Sequence, residues 1–240
     1  MYDALRNTTY QPFGFSDAAL MRWGLGDYDP LLVELAELGG TYERVAVDRA
    51  LAIALDMASI GLPIPSRVLD VGCSVGTVSM LLAAVGHTVT GIDSDVVAAV
   101  QDWQNPSRLQ AARTAQASAR CVLLRRDLRE HLEVDDSMFE VVLLLSVLHH
   151  WLSGYGYAGV ATFDRVEIRE TLERLVGRVT RCLYVETPIH DEAQEMPPDP
   201  EGEFVFPEWF VDVGWAKEVV LVCSTIASNA KPRRLFRIDL

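Results

Sequence analysis

The residues best suited to chemistry lie in Val68–Thr77, a segment with the sequence VLDVGCSVGT. A short apolar run leads into a turn that contains Gly72 and Gly76, and a helix-like stretch follows. Glycine lets the backbone approach a ligand closely, and a helix N-terminus presents free N–H groups. The segment therefore predicts a strand, a ligand-binding turn and a helix.

An acidic residue follows the next apolar run. Thr88–Ile92 ends at Asp93, which lies 23 residues after Asp70. In dinucleotide-binding folds, an acid about 20 residues beyond such a turn accepts hydrogen bonds from ribose hydroxyls. Asp93 and Ser94 are also typical helix N-cap residues, and the two roles can coexist.

The sequence of this turn admits two other interpretations. A nicotinamide site calls for G-x-G-x-x-G, which is absent because Ser74 stands two residues after Gly72. Gly72–Gly76 formally matches G-x-S-x-G, the nucleophile elbow of serine hydrolases, and Ser74 would then be the nucleophile. Such an elbow normally follows several strands, whereas the segment before Arg67 has helical spacing.

The same turn resembles the first motif of class I S-adenosylmethionine-dependent methyltransferases, (D/E)-x-G-x-G-x-G, with Ser74 in place of the middle glycine. Asp93 resembles the ribose-binding acid of that family. Asp127 resembles the acid near the adenine amino group, with Leu128 supplying a backbone N–H. Phe139–His150 (FEVVLLLSVLHH) resembles the fourth motif. The resemblance covers roughly residues 60–240.

This resemblance implies direct transfer of a methyl group from S-adenosylmethionine to a nucleophile. The acidic net charge and the aromatic residues of the N-terminal segment favour a small-molecule acceptor, methylated on oxygen or nitrogen. The turn would bind the methionine end of the cofactor, Asp93 the ribose and Asp127 the adenine. The expected cofactor contacts are Asp70, Gly72, Cys73, Ser74, Gly76, Asp93, Ser94, Asp127, Leu128 and Ser146.

The candidate catalytic residues follow the fourth and fifth predicted strands. His149 or His150 is expected to be a general base, because imidazole titrates in the useful pH range. Glu186 is a candidate for contact with the substrate, or else an ordinary loop carboxylate. Together with His190 these residues could suggest a metal site, but their spacing is not that of a compact ligand set, and no metal is predicted.

The elements that must position these residues alternate along the chain. Five strand-like runs, the fifth at Cys182–Val185, together with helical stretches such as Thr77–Val85, predict a Rossmann-like, doubly wound, mostly parallel sheet. The last two runs, Glu218–Ile226 and Arg233–Ile238, are joined by a short turn and predict an antiparallel hairpin. We expect an N-terminal helical cap over residues 1–60 and a cofactor-binding core over residues 61–240.

Composition excludes some classes of function. The net charge of −13 argues against binding nucleic acid through phosphate neutralisation, so an RNA-directed enzyme would need a basic groove that the sequence does not display. The four cysteines form no Cys-x-x-Cys pair, and neither a secretory signal nor a membrane span is recognisable. We expect a cytoplasmic protein of unknown oligomeric state. A protein-directed methyltransferase, a serine hydrolase and a non-catalytic cofactor-binding module remain alternatives.

Overall fold

Strands and helices alternate along the part of the chain that the computed structural model describes, residues 41–74, 76–94, 120–148, 151, 164–188, 207, 209–226 and 232–240. In chain order these are α1 (Thr41–Ser59), β1 (Arg67–Val71), α2 (Thr77–Val85), β2 (Thr88–Asp93), β3 (Cys121–Arg125), α3 (Leu128–Val134), β4 (Phe139–Leu145), α4 (Arg165–Val176), β5 (Val179–Pro188), α5 (Trp209–Asp212), β6 (Glu218–Ile226) and β7 (Pro232–Asp239).

The strands form one sheet in the order β3-β2-β1-β4-β5-β7-β6. The first five run parallel, while β7 pairs antiparallel with both β5 and β6. The predicted Rossmann-like sheet with a terminal antiparallel hairpin is confirmed. The strand order reverses between β1 and β4, where ligands bind beyond the carboxyl ends of the strands in open α/β sheets.

The central strands are buried because helices cover both faces of the sheet. In β4 all residues but Glu140 are buried, which explains its nearly continuous apolar sequence. Val141 and Leu143 face the cluster that contains α1 and α2, whereas Val142 and Leu144 face the cluster that contains α3 and α4. Alternate residues of a strand therefore belong to opposite layers.

Helix α1 packs against α2 and β6 as part of the core. A polar contact also joins it to the sheet: the Asp56 carboxylate accepts hydrogen bonds from the Tyr184 hydroxyl (2.7 Å) and from Nη1 of Arg237 (2.9 Å). We call this group the distal tie. The rest of the predicted N-terminal cap, residues 1–40, lies outside the described residues, and the boundary at residue 60 stays a prediction.

The structure departs from the sequence-based elements in two places. Helix α3 was not predicted, because its seven residues (LREHLEV) are too few to display a helical period. Strand β5 is longer than the predicted Cys182–Val185, since it pairs with β4 on one side and β7 on the other and includes polar residues. Of the helices in the described part of the chain, none has the length and apolar character needed to cross a membrane.

Candidate active site

The turn after β1 has the sharp backbone that its sequence predicts. Gly72, Ser74 and Gly76 have φ angles of 69°, 50° and 79°, a left-handed region that favours glycine. A Cβ atom on Gly72 would lie 2.7 Å from Cγ2 of Val147, too close for any other residue to fit unchanged. Ser74 thus adopts a glycine-like conformation at the position where the resembling motif carries glycine.

Asp93 lies directly against this turn. Its Oδ2 accepts a hydrogen bond from the backbone N–H of Ser74 at 2.7 Å, and the amides of Gly72 and Cys73 donate to the carbonyl of Ile92. The carboxyl ends of β1 and β2 are level because Val71 pairs with Ile92. Two groups expected to hold different parts of one cofactor are therefore neighbours in space.

Asp70 is the most deeply buried acid of the turn, with 2% of its surface exposed. The Ser79 hydroxyl of α2 donates a hydrogen bond of 2.5 Å to its Oδ2. Burial raises the pKa of Asp70 to about 6, although the Ser79 hydrogen bond and the Arg49 charge act in the opposite direction. Ser79 was not singled out from the sequence, because a serine inside a helix carries no local signal of a partner nine residues earlier.

Cys73 is buried beside these acids. Burial raises the pKa of its thiol well above the usual range, and the charges of Asp70 and Asp93 add to the effect. The thiol therefore stays protonated at neutral pH and is unsuited to act as a nucleophile or a metal ligand. Its Sγ would lie 3.0 Å from a Cβ on Gly91, so Cys73 fills space against β2.

Asp127 and Leu128 lie at the start of α3, beyond β3. The Asp127 carboxylate caps the helix by accepting a hydrogen bond from the N–H of Glu130 at 2.9 Å, while Leu128 is buried. The aspartate side chain remains partly exposed. A residue that caps the helix and faces solvent can also contact a ligand at this edge of the sheet.

At the ends of β4 and β5 the structure brings together Ser146, Glu186 and Arg49. Ser146 has a φ of 57°, and its hydroxyl donates a hydrogen bond to Oε2 of Glu186. Glu186 is 1% exposed, and Nη1 of Arg49 from α1 lies 2.8 Å from the same oxygen. Arg49 of α1 is thus ion-paired with a carboxylate of β5.

Several expected residues lie outside the described part of the chain, namely His149, His150 and His190. The described histidines lie at the opposite, amino-terminal edge of the sheet. His87 precedes β2 and accepts a hydrogen bond from the N–H of Ser66, and His131 packs against the ring of Phe139, the first residue of β4. Within the described ranges, no three His, Cys, Asp or Glu side chains are arranged to hold a metal ion.

Comparison with known families identifies this arrangement. Residues 69–183, which run from within β1 to the middle of β5, match the family model of a methyltransferase domain. Residues 69–183 of this chain form a methyltransferase domain. The predicted membership of the class I S-adenosylmethionine-dependent methyltransferases is thereby confirmed. A direct comparison with the curated proteins finds no match.

Solved structures share the fold of this methyltransferase at low sequence identity. Magnesium protoporphyrin IX methyltransferase from Synechocystis PCC 6803, solved with S-adenosylmethionine, is 15% identical, with a TM-score of 0.56 over 95% of this chain and 99% of that one. The N-methyltransferase NodS from Bradyrhizobium japonicum WM9, solved with S-adenosylhomocysteine, is 17% identical (TM-score 0.53, covering 88% and 97%). The structure of WbdD with a kinase inhibitor is 21% identical (TM-score 0.53), and the match covers 83% of this chain but 41% of that one.

Proposed function

We propose that this methyltransferase binds S-adenosylmethionine and transfers its methyl group to an oxygen or nitrogen of a small-molecule acceptor. The observation that carries the proposal is the 2.7 Å hydrogen bond between the Asp93 carboxylate and the Ser74 amide. It brings the expected ribose-binding acid and the glycine turn together at the carboxyl ends of β1 and β2, next to the reversal of strand order between β1 and β4.

The turn also suits the cofactor sterically. Gly72 has no room for a side chain because Val147 lies against it, so only glycine fits this sharp turn, whose backbone can approach a ligand closely. We assign the methionine end of the cofactor to this turn, the ribose to Asp93 and Ser94, and the adenine to Asp127 and Leu128. Asp70 and Cys73 are buried within the turn and help to fix its conformation.

The cofactor supplies a methyl group on a sulfonium, which is already a good leaving group. The residues of this chain therefore contribute mainly alignment of the acceptor and exclusion of water. His149 or His150, which follow β4, is our candidate for the base that removes a proton from the acceptor. Each histidine is tested by replacing it singly with alanine and measuring the rate of methyl transfer. Unchanged rates in both variants would contradict a role as general base.

The class of acceptor rests on charge. With a net charge of −13, the protein as a whole would repel a polyanion such as RNA. Solved structures with the same fold include a porphyrin methyltransferase and an N-methyltransferase. They support methyl transfer as the reaction but do not favour one acceptor over another. A cytoplasmic location is part of the proposal, because all four cysteines are free thiols.

A serine hydrolase is the competing function, and one observation favours it. Ser74 has a φ of 50°, which suits the sharp strand-to-helix turn of a nucleophile elbow. Its amide, however, is held by Asp93, and the described histidines His87 and His131 lie at the opposite edge of the sheet. A triad would need a histidine from outside the described residues.

The cofactor is tested by thermal unfolding of the purified protein. Ligand at about 100 times its Kd stabilises the folded state by roughly 2.7 kcal/mol, which corresponds to a rise in Tm of roughly 5–11 °C for a chain of this size. We expect this rise with S-adenosylmethionine and S-adenosylhomocysteine, but not with NAD. No rise at saturating concentrations of the two sulfur compounds would contradict the proposal and favour a hydrolase screen.

A further inference from the structure

We propose that Arg49 and Glu186 are positioning residues that hold the turn after β4 against the cofactor-binding turn after β1. The inference rests on the proposed function, because its consequence is a change in cofactor affinity. It assigns to Glu186 a role through Ser146 rather than contact with the substrate.

The first step is the conformation of Ser146. A serine at φ 57° is in a region that non-glycine residues enter only when surrounding contacts hold them there. Here the hydroxyl of Ser146 is bonded to the carboxylate of Glu186. The carboxylate on β5 thus supplies a contact that retains the turn in its unusual backbone conformation.

The second step is the charge on Glu186. A carboxylate that is 1% exposed needs an opposite charge and hydrogen bonds to offset its lost hydration. The Arg49 guanidinium, 2.8 Å away, supplies both. Arg49 also acts on the pKa of Asp70 through its charge, so it lies close enough to influence both sides of the crevice.

The third step connects this pair to the cofactor. Val147, the residue after Ser146, occupies the space next to Gly72, where a Cβ would lie 2.7 Å from Cγ2 of Val147. A shift of the Ser146–Val147 turn must therefore change the shape of the glycine turn. Loss of the Arg49–Glu186 pair is transmitted to the cofactor by direct packing, without contact between the pair and the cofactor.

The chain supplies its own control in the distal tie. Asp56 lies seven residues after Arg49, which is two helical turns along the same face of α1. Tyr184 lies two residues before Glu186, on the same face of β5. Both pairs join the same helix to the same strand, but Tyr184 has no contact with the Ser146 turn among the hydrogen bonds of the described residues.

The experiment measures the Kd of S-adenosylhomocysteine by calorimetry, together with Tm, and needs no methyl acceptor. Glu186→Gln keeps the shape of the side chain but removes its charge, and we expect affinity to fall about 5- to 20-fold. Arg49→Met should give a similar loss, and Arg49→Lys, which keeps the charge, should recover part of it. A double variant with Arg49→Met and Glu186→Gln should bind little more weakly than the single variant with the lower affinity. The reason is that both changes break the same ion pair.

Tyr184→Phe removes one hydrogen bond of the distal tie and should lower Tm while leaving affinity within about twofold of wild type. The inference is overturned if Glu186→Gln binds within about twofold of wild type, or if Tyr184→Phe weakens binding equally. Should Glu186→Gln not fold, Arg49→Met breaks the same ion pair from the other side and must weaken binding. Failure of the wild-type protein to bind S-adenosylhomocysteine would instead overturn the proposed function itself.

Discussion

Replacing Asp93 with alanine should weaken binding of S-adenosylhomocysteine by about 2–4 kcal/mol, roughly a 30- to 900-fold rise in Kd. Two contacts are lost together. The ribose hydroxyls lose a charged acceptor, and the Ser74 amide loses the partner that now lies 2.7 Å away. Ser74 has a φ of 50°, a conformation that serine keeps only when its contacts hold it there. Without the hydrogen bond to its amide, the turn can relax out of the conformation that binds the cofactor.

Two variants separate these contributions. Asp93→Asn retains an oxygen for the Ser74 amide but has no charge, and we expect an intermediate loss. Asp136→Ala removes an exposed aspartate that pairs with Arg178 at the amino-terminal edge of the sheet, and affinity should not change. A Kd for Asp93→Ala equal to that of Asp136→Ala would contradict the assignment of Asp93 to the cofactor. The measurement is calorimetric titration of each folded variant.

Asp70→Asn should stabilise the fold at pH 8 while weakening cofactor binding. The folded-state pKa of Asp70 is about 6, against 3.8 for the unfolded chain, because burial disfavours the charged form. At pH 8 the ionised carboxylate costs the folded state up to about 3 kcal/mol, a cost that an uncharged amide avoids. A residue that lowers stability at neutral pH is a candidate for a functional role.

The pH dependence of the free energy of unfolding distinguishes removal of the buried charge in Asp70→Asn from an improvement in packing. The folded pKa of Asp70 lies above its unfolded value, so the folded state loses stability as pH rises from about 4 to 6 and the full cost remains above pH 6. The advantage of Asp70→Asn should therefore shrink to about 1 kcal/mol at pH 4.5. Urea unfolding at both pH values measures it, and an advantage independent of pH would refute the explanation.

Ser79→Ala provides the opposite control. It removes the hydroxyl that donates to the Asp70 carboxylate at 2.5 Å, which leaves the buried charge less well solvated. We expect Ser79→Ala to destabilise the protein at pH 8 and to raise the pKa of Asp70 further. Stabilisation by both variants would mean that the Ser79 hydrogen bond does not support the ionised acid.

The sequence by itself determined the features that depend on local pattern. The apolar run Val68–Val71 followed by two glycines predicted β1, the turn and the start of α2, and the structure has α2 at the predicted bounds Thr77–Val85. The hairpin of β6 and β7 was predicted from two β-rich runs and a short connection. These features were recoverable because side-chain period, turn chemistry and helix capping act over a few residues.

Only the tertiary structure decided which distant residues meet. Arg49 and Glu186 are 137 residues apart, and their pairing depends on α1 lying across the carboxyl end of β5. Likewise, Ser79 meets Asp70 because α2 packs back onto β1. A carboxylate in a sequence carries no mark of whether it will be exposed or buried. The pKa of Asp70 and the role of Glu186 therefore followed only from the packing of the layers, which sets hydration and charge partners through long-range contacts.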